Sequence, residues 1–241
     1  MAQERASAEH LLLLDTGDAL VGGGLLGDAT EGEVIVAGMG LMGYNAMALG
    51  PKELALGLDT LRQRMAEASF PFLSANAASS SGELLAHPDE IVGVGAYRAA
   101  ILGLTRPPGV PLEGIQVLDP REALERILPE AAAGADLVIL LTNLAYDQAL
   151  ALAGEVPGID LVVAALPAQP PTGVTRLSGT GTVVVTAEQP AARHTGRQIG
   201  RTTVTVQPDG SLTGESWAAV PLGVLVVDDP DMAALLQQYQ P

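Results

Sequence analysis

Gly43-Tyr44-Asn45-Ala46-Met47-Ala48-Leu49-Gly50-Pro51-Lys52-Glu53-Leu54-Ala55-Leu56-Gly57 is the stretch that decides how this chain is read. Ala46 to Leu49 is an apolar run of strand length, and Gly50-Pro51 stops it. Beyond the break, Leu58, Leu61, Met65 and Ala68 recur at helical spacing, with Arg62, Arg64 and Glu67 on the other side. An amphipathic helix therefore leads into the apolar strand Phe72 to Ala75. Strand, helix, strand is a β-α-β unit, which implies a sheet covered by helices.

The same alternation extends in both directions. Leu11 to Leu14 reads as a buried strand, Gly17 to Gly27 as a glycine-rich loop, and Glu31 to Met42 as a helix that Gly38 and Gly40 each weaken by about 1 kcal/mol. Residues 76 to 90 read as a surface loop or short hairpin. Tyr97 to Thr105 reads as a strand stopped by Pro107 and Pro108. Asp119 is a plausible N-cap for a helix from Pro120 to Ala133 that Gly134 closes. The strand Leu137 to Leu141, a helix from Tyr146 to Leu152 and the strand Leu161 to Ala165 complete a second α/β alternation. From Thr182 the pattern changes, and Val183 to Val185, Gln198 to Val206 and Leu212 to Val220 read as antiparallel strands, with Asp209-Gly210 as a hairpin turn. Asp229-Pro230 starts a last helix, Met232 to Tyr239.

Bulk composition agrees with one α/β domain. The 241 residues are 48% apolar, 17% charged and only 3% aromatic, so Leu, Val, Ile and Ala must fill the core, as in strands buried on both faces. Twelve basic residues against 28 acidic ones give a net charge of −16, which repels nucleic acid and anionic lipid. There is no cysteine, so disulfides, thiolate metal sites and thiol catalysis are excluded. The apolar runs are far shorter than the roughly 20 residues a membrane span needs. Met1 to His10 is polar and has no signal-peptide core.

Residues 43–57 resemble the segment of calcineurin-like metallophosphoesterases, 5′-nucleotidase branch, that carries Gly-Asn-His-Glu-Phe-Asp. The resemblance runs over nearly the whole chain. Leu11-Leu12-Leu13-Leu14-Asp15-Thr16-Gly17-Asp18 resembles that family's strand ending in Gly-Asp, whose Asp bridges two metals. Phe70 to Asn76 resembles the next strand, and Leu137 to Leu144 the one ending in a metal-binding His. Gly158 to Pro170 resembles the strand leading into Gly-His-x-His. The implied fold is an α/β/β/α sandwich of two mixed sheets with outer helices. The family's first strand, ending in Asp-x-His, and its C-terminal nucleotide-specificity domain are both expected to be missing, leaving residues 1–241 as a single domain.

Carried over residue by residue, the resemblance implies a degenerate metal site. Asp18 keeps a usable donor, Pro51 and Lys52 stand where the Asn and His belong, and Asn143 replaces a histidine. Leu166 and Ala168 replace two more. Proline offers no donor atom and lysine repels a dication. A two-metal phosphoesterase needs several carboxylate and imidazole donors around its ions. The expectation is therefore a pseudoenzyme with no catalytic residues and no metal cofactor, serving as a binding or structural subunit. A protein partner or a second copy would then cover an exposed sheet edge. One further expectation is an ion pair between Lys52 and Asp18 in place of the metals.

Two other functions compete. A phosphoesterase with a relocated or single-metal site, using Asp18 with Asp147 or Asp160, would bind Mn, Zn, Fe or Mg. A dinucleotide-binding module would use Gly38-Met39-Gly40-Leu41-Met42-Gly43 after Val34-Ile35-Val36, but the residues beyond Gly43 leave no room for the long helix that fingerprint needs. His10, His87 and His194 match no ligand position and read as surface residues. Ser79 to Ser81 reads as a polar loop, Asp15 as a turn residue, and Arg193, Arg197 and Arg201 as a solvated strand edge.

Overall fold

Parallel strands need crossover connections, and helices placed on the sheet faces supply them. A computed structural model describes residues 2–165, 173–186, 198–208, 210–223 and 226–239. In chain order the first elements are α1 (Ala2–Ser7), β1 (Leu14–Asp15), α2 (Leu25–Ala29), α3 (Glu33–Met42), β2 (Ala46–Ala48), α4 (Pro51–Leu54), α5 (Leu58–Glu67) and β3 (Phe72–Leu73). There follow β4 (Ala77–Ser79), β5 (Asp89–Val94), β6 (Tyr97–Leu104), β7 (Ile115–Val117), α6 (Pro120–Ala133), β8 (Leu137–Thr142) and α7 (Tyr146–Glu155). The last are β9 (Leu161–Ala164), β10 (Thr175–Arg176), β11 (Val183–Thr186), β12 (Gln198–Val206), β13 (Leu212–Pro221) and α8 (Pro230–Gln238).

Two sheets carry the fold. The smaller has the order β1-β2-β3 and is parallel throughout. The larger has the order β10-β11-β9-β8-β6-β5, with a parallel centre and antiparallel strands at both edges. Ala46, Ala48, Leu73, Ile101 and Leu141 pack the two sheets face to face. Gly103 marks their closest approach, because a Cβ there would overlap the Leu73 backbone.

Helices close both outer faces. Val36 and Met39 from α3 and Leu61 from α5 pack with Met47, Phe70 and Phe72 behind the small sheet. Leu124 and Leu128 from α6, with Tyr146, Ala149 and Leu152 from α7, cover the large one. The result is an α/β/β/α sandwich. The β12–β13 ribbon packs Val204, Val206 and Trp217 against the rest of the large sheet's inner face, beside β1.

Several elements differ from expectation for physical reasons. Within the expected loop or hairpin of 76–90, residues 76–78 are buried rather than on the surface, because β4 pairs with β7 and the Asn76 side chain bonds the Thr105 N–H and the Thr105 and Leu118 carbonyls, while residues 77–85 close a short hairpin. β11 runs parallel to β9 and so extends the large sheet instead of starting an antiparallel region. The glycine-rich 17–27 region holds the buried Leu20 and opens into α2. Leu11 to Leu14 is only half-buried, and just its end is paired as β1. Asp209 of the expected hairpin turn lies outside the described residues.

Candidate functional site

The carboxyl ends of β1, β2, β6 and β8 converge on one spot, because parallel strands bring their C-terminal loops to the same edge. Gly17 turns the chain there with φ 89°, and a side chain on it would strike the Ala48 carbonyl and the Asn143 amide. Asp18 follows with φ 64°, a left-handed conformation that Asp tolerates better than most residues. Asp15 Oδ1 accepts from the Gly17 N–H at 2.8 Å and shapes the same turn.

Glu53 fixes this loop from beneath. It is fully buried, and its carboxylate accepts from the N–H groups of Asp18 (2.7 Å), Leu20 (3.0 Å) and Gly50 (2.9 Å). Burial pushes its pKa up, while the three backbone donors and the nearby Asp18 charge act as smaller influences. A single side chain thus ties the end of β1 to the start of α4.

Both oxygens of Asp18 are already engaged by protein donors. Oδ1 accepts from the Lys52 backbone N–H at 2.9 Å, and Oδ2 accepts from the Arg106 guanidinium at 3.1 Å. The expected pairing of Lys52 with Asp18 is therefore corrected: the cation beside Asp18 is Arg106. The Lys52 ammonium lies along Gly22 instead, 3.2 Å from where a Cβ on that glycine would sit. Pro51 occupies the first turn of α4, where its missing N–H costs nothing.

Asn143 is buried and spent in the same way. Its Oδ1 accepts from the Arg106 N–H at 2.6 Å, and its Nδ2 donates to the Leu49 carbonyl at 2.6 Å. Asp18, Pro51, Lys52 and Asn143 are thus brought to one end of the sheets, whereas Leu166 and Ala168 lie outside the described residues. Sequence reasoning missed Arg106 and Glu53. Arg106 follows the strand Tyr97 to Thr105 directly, at a carboxyl end where parallel sheets gather functional residues, and that position is the signal that could have found it.

The alternative carboxylates are not assembled. Asp160 lies at the opposite end of the large sheet, where it accepts from the Val138 N–H at 2.7 Å and burial raises its pKa. Asp147 sits in the first turn of α7. Residues 34–42 belong to α3 and Gly43 caps it, so no strand precedes the glycines and the dinucleotide-loop geometry is not formed. His10 lies against Gly95, His87 bonds Ser74 through its backbone, and His194 is outside the described residues. Arg201 pairs with Glu4 at 3.4 Å, and Arg193 and Arg197 are outside the described residues.

A metal pair of the kind the resemblance implies does not fit these donors. Asp18 would have to leave the guanidinium and the Lys52 amide, and Asn143 would have to surrender the Arg106 N–H. Among the described residues no group of three or more His, Cys, Asp or Glu is placed to hold a metal. The site opens instead onto a groove of about 840 Å³ lined by residues 11–19, Lys52, Arg106, Asn143 and residues 199–202.

The fold agrees with comparisons to known proteins. The snake-venom 5′-nucleotidase of Gloydius brevicauda is 33% identical over 173 residues, 66% of this chain and 29% of that protein. The 5′-nucleotidase of Vibrio cholerae is 32% identical over 61% of this chain. The chain is homologous to 5′-nucleotidases and calcineurin-like phosphoesterases.

The crystal structure of a 5′-nucleotidase precursor from Thermus thermophilus superimposes on this phosphoesterase homologue with a TM-score of 0.85, at 28% identity and over 99% of the chain. Calcineurin-like phosphoesterase YfkN from Bacillus subtilis shares the fold with a TM-score of 0.76. The homologue spans under a third of the length of the curated relatives it matches, and half of the Thermus chain. No protein-family profile matches it. Among the described residues no helix is long and apolar enough to cross a membrane.

Proposed function

We propose that residues 1–241 form one metallophosphoesterase-like domain that is catalytically inactive and acts as a binding or structural subunit. The observation that supports this most directly is the closed coordination of Asp18, whose two oxygens face the Lys52 amide and the Arg106 guanidinium. A carboxylate held by a guanidinium is poorly disposed to bridge two cations, and a dication placed beside Arg106 and Lys52 would meet like charge. Asn143 adds to the argument, since its amide is committed to the backbone at both ends.

The relatives are named as 5′-nucleotidases, and this reading gives the chain their scaffold without their chemistry. Phosphoryl chemistry on that scaffold needs ions that clamp the attacking and leaving oxygens. The residues at the matched positions supply a proline, a lysine and a satisfied amide. The test is elemental analysis of the purified protein after dialysis against Mn²⁺ and Zn²⁺, with an assay on p-nitrophenyl phosphate. The expected result is no stoichiometric metal and no turnover above background. Two bound ions with metal-dependent hydrolysis would overturn the proposal.

A further inference from the structure

We draw no further inference here: the strongest candidate, the side-chain cluster of Lys52 and Arg106 just beyond the carboxyl ends of β2 and β6, belongs to the site already described, and an anion held there would only take the phosphate position established for these phosphoesterases.

Discussion

Glu53 shows how much of this site depends on one side chain. Three N–H groups from two segments end on its carboxylate inside the protein, where an unmet donor costs about 1–3 kcal/mol. Glu53→Gln keeps the shape but turns an amide NH₂ toward one of those donors. It should lower the unfolding free energy by about 2 kcal/mol, read from urea midpoints. The raised pKa adds a pH signature. The native state holds that proton more tightly than the unfolded chain, so the Glu53 contribution is full below the ordinary glutamate pKa and is lost as pH rises through the native value. Stability of the wild type should therefore decline over that window more steeply than stability of Glu53→Gln.

At the scale of elements, the close stacking of the two sheets rests on Gly103 in β6. A Cβ there would lie 2.5 Å from Leu73 Cβ and would also overlap the Leu73 backbone, with no flexible side chain able to yield. Gly103→Ala should cost about 1–3 kcal/mol through overpacking, seen calorimetrically as a melting temperature lower by about 2–4 °C per kcal/mol. The same stacking explains which elements were legible. α6 and β8 occur within a residue of where caps, glycine and apolar runs place them, because those signals are local. β4, β5 and β7 were not legible, because residues 76–90 read as polar and glycine-rich, and their pairing with β7 and β6 forms only across the tertiary fold.

Across the whole molecule, helices distant in sequence meet at Arg64. Its side chain is 5% exposed and lies 3.6 Å from Glu33 and 3.1 Å from Glu67, while Tyr239 donates to Glu33 at 2.8 Å and ties α8 to α3. Among the described residues Nε and Nη1 make no hydrogen bond, so the buried guanidinium is imperfectly repaid for its desolvation. Arg64→Met, which keeps the packing volume, should leave stability within about 1 kcal/mol of wild type, whereas Arg64→Ala should cost about 2 kcal/mol or more. Chemical denaturation of the two variants side by side checks the difference.

Period and punctuation in the sequence determined the α/β alternation, and the residue types at positions 18, 51, 52 and 143 are what the proposal of an inactive site starts from. Those are local properties, set by which side chains the chain carries and how they are spaced. Only the tertiary structure decided that the Arg106 guanidinium rather than the Lys52 ammonium faces Asp18, that Glu53 anchors the loop, and that the leucines of β1 border a groove. Each of these depends on which strand ends and loops meet, and that is fixed by the stacking of two sheets across tens of residues of intervening chain.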